Sequence, residues 1–318
     1  MTSLTAFTVA LLAALILTPL VRDAAHGAGL LDEPEARKQH RVPLPRLGGV
    51  AIAAAFFVGI GAALVVARII GRRLGVDTGH LPAELVGVAM IASVGLLDDL
   101  QGMRARVKLL AQLVVALMVY GMGMSIDRLD GPWGTFELGI WSLPLTVAWI
   151  VGVVNAVNLI DGLDGLASGV AFIAASAFGV ISLTIRGGDP LLPVLAAASG
   201  AILGFVRFNL HPASIIMGDT GSMLLGFLLA AGGIGLTQAQ PTGAPFWIPL
   251  VVLGLPLADT LRVIVRRLAA GKAIFSPDRR HVHHRLLARG LSQRSAVLVL
   301  WVVSALFGAA GVGLAALA

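Results

Sequence analysis

The chain repeats one pattern from end to end. An apolar run of roughly 17–25 residues, the length that carries a helix across a bilayer, is followed by a short polar break. Residues 6–21, AFTVALLAALILTPLV, are the first example. Inside hydrocarbon every backbone N–H and C=O must find its partner within the protein, so such runs fold as helices. Spans are expected near 3–21, 47–67, 81–97, 108–125, 140–158, 166–185, 190–208, 221–237, 246–263 and 295–316. The expected fold is an all-α polytopic membrane protein of about ten transmembrane helices, with residues 1–318 as one integral membrane domain. Breaks such as RGGDP and QAQPTGAP mark the turns. Only 13% of residues are charged, against about 25% in soluble domains, which leaves no room for a soluble module. Residues 1–21 lack a basic n-region, so they read as the first span and not as a signal peptide. Without cysteine, disulfides and thiolate metal sites are excluded.

The Lys and Arg residues divide unequally between the two faces these spans create. Segments after odd-numbered spans hold 18 of the 23; the others are Arg68, Arg72, Arg73, Arg128 and Arg186. The positive-inside rule puts the richer face in the cytoplasm and both termini outside. Four polar clusters share that face: GLLDDL (95–100), NLIDGLDGL (158–166), FNLHPASIIMGDTGS (208–222) and SPDRRHVHHR (276–285). The outer loops show no comparable clustering.

Each cluster has a plain reading and a chemical one. Asp98 and Asp99 end the third span, where two adjacent carboxylates repel and the helix dipole disfavours negative charge. They are either a solvated helix end balanced by Arg104, Arg106 and Lys108, or a functional pair, the default for ionisable groups near membrane depth. Asn155 and Asn158 share a helix face, and one could bond a neighbouring helix. Asp161 and Asp164 lie on a glycine-bent turn; they accept hydrogen bonds only, so they need a donor or a cation. Before the eighth span, Thr220 or Asp219 is an ordinary N-cap, or Asp219, between two glycines, is a ligand for a hard cation such as Mg²⁺. His281, His283 and His284 lie among Arg279, Arg280 and Arg285, which suits a diphosphate, a lipid headgroup or, less well, zinc. Lys38, His40, Arg41 and Arg46 either enforce topology or hold phosphate. Carboxylates for Mg²⁺, cations for phosphates and a membrane floor for a lipid together form a kit for phosphoryl transfer between a soluble nucleotide and a lipid.

In this order, DEPEARKQHRVPLPRLGG, GLLDD, NAVNLIDGLDGLA, FNLHPASIIMGDTGSMLLGF and DRRHVHHRLLARGLSQRSAV resemble the polyprenyl-phosphate N-acetylhexosamine-1-phosphate transferase family. The motifs span residues 22 to about 300. PRLGG and HVHH resemble the bacterial undecaprenyl-phosphate N-acetylglucosamine-1-phosphate transferases, the WecA/TagO-like branch. The phospho-N-acetylmuramoyl-pentapeptide branch usually shows TPTMGG and HHH there. The resemblance implies a ten- or eleven-helix fold with a cytoplasmic active-site groove in the bacterial inner membrane. It implies transfer of sugar-1-phosphate from a UDP-N-acetylhexosamine to undecaprenyl phosphate, with release of UMP and with Mg²⁺, or Mn²⁺ in its place. A homodimer is compatible with it, and no nucleic-acid partner is expected.

Residue by residue, the resemblance makes Asp219 the metal ligand, with Asn158 as a second. Asp98, with Asp99 beside it, is the candidate for deprotonating or orienting the lipid phosphate. Asp164 and Asn209 match positions that read the uracil ring, and Asn155 and Asp161 join them as substrate-binding candidates. His281, His283 and His284 match the catalytic histidine motif near the diphosphate. Lys38, Arg41 and Arg46 fall where cations hold phosphate or lipid. Two positions depart from the pattern. The usual third carboxylate of DDxxD is Gly102, and the residue three before the MGD aspartate is Ile216 where several members have an aromatic. Transfer is expected to be a direct in-line displacement, with an aspartyl-phosphate route as the alternative. A secondary transporter is the rival from another class. It would place charges near the midplane on repeated halves, whereas here they sit at span ends on one face.

Overall fold

The computed structural model describes residues 1–33, 42–71, 80–131, 134–186, 191–238, 244–271 and 281–317. Helices dominate it. They are α1 (Thr2–Gly27), α2 (Gly48–Ile69), α3 (His80–Gln101), α4 (Ala105–Gly121), α5 (Ser142–Ile160) and α6 (Leu166–Arg186). They continue with α7 (Leu191–Asn209), α8 (Gly218–Gln238), α9 (Trp247–Val252), α10 (Gly254–Ala269), α11 (Val282–Ala288) and α12 (Gln293–Ala315). Among the described residues, eight helices are long and apolar enough to cross a membrane. The chain is therefore an all-α polytopic membrane protein.

Two expected spans take a different form. The run at 108–125 is α4, which begins at Ala105 and has 17 residues, so Lys108 lies within its first turn. The run at 246–263 is broken at Leu253 into α9 and α10. Pro256 has no N–H to return to Val252, and α10 is apolar on one side only, with Leu255 and Val263 buried and Arg262, Arg266 and Arg267 elsewhere on its surface. Mean hydropathy over the run merges two unlike pieces. The breaks also hold two short antiparallel pairs that the all-helical expectation omitted. These are β1 (Leu31–Asp32) with β2 (Leu44–Pro45), and β3 (Arg128–Gly131) with β4 (Gly134–Glu137).

The bundle is organised around α8. It is apolar on every side and buried along nearly its whole length, packed by α2, α3, α5, α6 and α7. Small residues permit that crowding, because membrane helices gain most of their association from close backbone packing. At Gly49 an added Cβ would lie 2.1 Å from the backbone nitrogen of Gly221. The start of α2 is also sewn to the segment leading into α8. Ile216 donates its N–H to the Pro45 carbonyl (3.0 Å), Gly48 to Ile216 (3.1 Å) and Gly49 to Met217 (2.9 Å). The MGD segment is thereby fixed before any side chain acts.

Candidate active site

The site grows from the N-terminus of α8. Gly218 has φ +73°, a left-handed conformation that suits glycine. An added Cβ there would meet Asp99 Oδ2 at 2.6 Å. That close approach lets Asp99 cap α8 from the end of α3. Its Oδ1 accepts from Asp219 N (2.8 Å), and its Oδ2 accepts from Thr220 N (2.9 Å) and Thr220 Oγ1 (2.5 Å). A carboxylate disfavoured at its own helix end is thus held at the positive end of another. Asp99 positions Asp219.

Asp98 turns the other way. Its Oδ1 accepts from Met103 N at 2.6 Å, and its Oδ2 pairs with Lys108. Lys108 Nζ also reaches Asp219 Oδ1 at 3.0 Å. Asn158 donates to Asp219 Oδ1 (2.6 Å) and to Ser222 Oγ (2.8 Å). Asp98, Lys108, Asp219 and Asn158, from α3, α4, α8 and α5, therefore form one cluster. Lys108 entered the sequence reading only as a neutralising charge. The usable signal was its depth: it stands at the head of the apolar run KLLAQLVVA, whereas Arg104 and Arg106 precede the run and are exposed. Gly102 occupies the expected third carboxylate position with φ +70°, and its N–H bonds Asp98 O at 2.8 Å. It closes the C-terminus of α3 as a left-handed cap.

The 161–165 turn lies beside this cluster. Leu163 and Leu166 are buried and anchor it. Asp164 Oδ2 pairs with His211 Nδ1 (2.8 Å) and accepts from Ala213 N (3.2 Å). Asn209 is buried and ties three segments: its Oδ1 accepts from Gly165 N (3.2 Å) and Ser168 Oγ (2.8 Å), and its Nδ2 donates to Ile215 O (3.1 Å). Asn155 bonds Gln112 Oε1 of α4 (2.6 Å) and Val151 O (2.8 Å), the helix-to-helix contact weighed for one asparagine of the pair. It is not among the side chains that bond Asp219. The Asp161 side chain makes no hydrogen bond among the described residues; its N–H bonds the Asn158 carbonyl at 3.3 Å. Burial, followed by the charges of Asp219, Asp99 and Asp164, pushes its carboxyl up to about 8. A carboxyl raised in the folded state keeps its proton there while the unfolded chain has lost it, so stability falls as pH rises from about 4 to about 8. Asp161→Asn removes that loss. The variant is expected to unfold later than the wild type at pH 9 and to gain little at pH 4, as read from detergent unfolding curves at both pH values.

The histidines lie over this turn. His281 and His283 rings are near-parallel, with centroids 5.9 Å apart, and His284 lies 4.2 Å from His283. An added Cβ on Gly162 would sit 2.4 Å from His283 Nε2. Burial first, then the neighbouring imidazoles, drives His283 down to about 3, so it is neutral at physiological pH. Gly162→Ala must displace this buried ring, and a shift of that kind typically costs on the order of 10²-fold in rate. Turnover measured beside an unchanged unfolding midpoint checks it.

Of the proposed phosphate cations, Arg46 is bridged through its backbone to Ile216, and its Nε is buried with no hydrogen-bond partner among the described residues. Lys38 and Arg41 lie outside the described residues. Ser222, His211 and Asp259 are polar partners of the site that sequence reasoning did not single out, and Thr220 figured there only as a possible N-cap.

The chain has clear relatives. The sequence profile of glycosyl transferase family 4 matches residues 81–237. A probable undecaprenyl-phosphate N-acetylglucosaminyl 1-phosphate transferase of Bacillus subtilis is 41% identical over 95% of this chain and 82% of its own length. A decaprenyl-phosphate N-acetylglucosaminephosphotransferase of Mycobacterium tuberculosis is 39% identical over 91% and 77%. A phospho-N-acetylmuramoyl-pentapeptide-transferase of Desulforamulus reducens is 34% identical over 96% and 92%.

Proposed function

The chain belongs to the polyprenyl-phosphate N-acetylhexosamine-1-phosphate transferases of glycosyl transferase family 4, and from that premise we propose that it transfers N-acetylglucosamine-1-phosphate from UDP-N-acetylglucosamine to undecaprenyl phosphate. An oxygen of the lipid phosphate forms a bond to the β-phosphorus of the nucleotide sugar. The bond from that phosphorus to the bridging oxygen breaks, and UMP leaves with it. The product is a lipid-diphosphate-sugar that starts a cell-envelope polysaccharide. The site faces the cytoplasm, where the nucleotide sugar is found and where most of the Lys and Arg residues fall.

The observation that carries this reading is the joining of Asp98, Lys108, Asp219 and Asn158 into one cluster. It lies beside an acidic turn roofed by the imidazoles of the histidine segment. In this arrangement Lys108 is placed to meet an incoming phosphate while Asp98 orients it. Asp161 and Asp164 face the nucleotide, the latter steadied by His211.

The donor set suits a divalent cation. Asp219 Oδ1 is a hard oxygen that receives the Lys108 ammonium and the Asn158 amide NH2 group, which supports a site that accommodates positive charge. Among the described residues there is no group of three or more acidic, histidine or cysteine side chains that would cage a metal unaided. That matches Mg²⁺, which typically takes one or two carboxylates and completes its shell with water and substrate phosphates. Asp219 and Asn158 would hold it. When bound, the ion would offset charge developing on the diphosphate oxygens.

The test is a donor screen on purified protein with product mass measured. UDP-N-acetylglucosamine with undecaprenyl phosphate and Mg²⁺ is expected to yield the lipid-diphosphate-sugar and UMP, and omission of the lipid or the metal to abolish both. Product only from the UDP-N-acetylmuramoyl-pentapeptide donor would move the chain to the branch of the Desulforamulus relative.

A further inference from the structure

Asp259 of α10 belongs to none of the acidic motifs, yet its side chain is only 2% exposed and fully engaged. Its Oδ2 faces His281 Nδ1 at 2.8 Å. Its Oδ1 accepts from Val282 N (2.9 Å) and from Arg262 NH2 (2.9 Å). One buried carboxylate therefore fastens the start of the histidine segment to α10.

We infer that Asp259 is the positioning residue of the histidine triplet, acting by fixing the orientation and tautomer of His281. An ionised carboxylate only accepts hydrogen bonds, so His281 Nδ1 must carry a proton. Its Nε2 is then the nitrogen left for a ligand, as acceptor in the neutral ring or donor in the charged one. Arg262 keeps the carboxylate ionised by charge-assisted bonding. The effect extends along the stack. The His281 ring lies parallel to His283, and His283 abuts Gly162, the neighbour of Asp161. Setting His281 therefore sets the height of the imidazoles above the acidic turn. Carboxylates that orient ligating or catalytic histidines act in the same way elsewhere, and losing one typically costs 10–100-fold in affinity or activity.

A merely structural Asp259 would cap α11 through Val282 N and do no more. Asp259→Asn separates the two roles, since an amide oxygen can keep the Val282 bond while its NH2 group forces His281 Nδ1 to accept. The consequence for turnover rests on the transferase reading, so the test has two arms. In the first, purified full-length Asp259→Asn is expected to keep its unfolding midpoint and its KM for UDP-N-acetylglucosamine within about threefold, while kcat falls about 10–100-fold. In a His281→Ala background the same change should cost almost nothing further. Wild-type kcat in Asp259→Asn, or an undiminished extra loss in the His281→Ala background, overturns the inference. In the second arm, ¹⁵N-histidine spectra of the wild type, assigned with His281→Ala, read the tautomer directly without substrate. Nδ1-protonated His281 is expected, and an Nε2–H tautomer with bare Nδ1 overturns the inference whether or not Asp259→Asn folds. If the wild type forms no lipid product, the transferase reading fails while the spectra still decide the role of Asp259.

Discussion

Asp219→Ala is expected to lower kcat by about 10²–10³-fold while leaving the fold intact, the range seen when one preorganised electrostatic group is lost. The geometry explains both halves of that expectation. The start of α8 does not depend on the Asp219 side chain, because Asp99 caps it through the backbone of Asp219 and Thr220, and the strand-like pairing of residues 45–49 with 216–217 holds the approach. What disappears is the oxygen that receives both Lys108 and Asn158. Lys108 is left with Asp98 alone, and Asn158 with Ser222. Turnover with UDP-N-acetylglucosamine and undecaprenyl phosphate, measured beside an unfolding curve, checks both. A rate near that of the wild type would remove Asp219 from the mechanism.

Gly49→Val is expected to be the most damaging single change to stability. The new Cβ would fall 2.1 Å from Gly221 N and 2.5 Å from Gly221 Cα and Thr220 C. All three are backbone atoms, so no rotamer change relieves the clash, and α2 must move off α8. Overpacking of a tight core typically costs 1–3 kcal/mol when side chains can adjust. A backbone-to-backbone clash is expected to reach about 3 kcal/mol or more, with part of the cost falling on helix packing that only small residues permit. Because Thr220 and Gly221 directly follow Asp219, any protein that still folds should also lose transferase activity. Unfolding in an SDS titration and recovery from the membrane after mild detergent extraction would show it. A stable, active Gly49→Val protein would mean that α2 and α8 can separate without cost.

The spans were legible because hydrocarbon forces apolar runs into helices, and eight of them stand as long, apolar helices. The broken ninth run was not legible, since window-averaged hydropathy cannot see that Pro256 removes a hydrogen bond and that α10 is one-sided. The acidic and histidine motifs were visible as polar residues where a membrane protein tolerates few. Their partners were harder to read. Lys108 looked like a flanking charge, and Asp259 belonged to no motif; both acquire meaning only through segments distant in sequence. Asn155 and Asn158 are three residues apart in one motif, yet one bonds a neighbouring helix and the other bonds Asp219. Sequence spacing placed them on one face but could not say which neighbour each would meet.

Encasing α8 on all sides ties the chemistry to the mechanical integrity of the whole bundle. Asp219 stands at the head of a helix that five others pack against, so a disturbance to any of them reaches it. Harsh solubilisation should therefore silence the enzyme while most of its helical content survives, and retained catalysis becomes a more sensitive gauge of a native preparation than its circular dichroism.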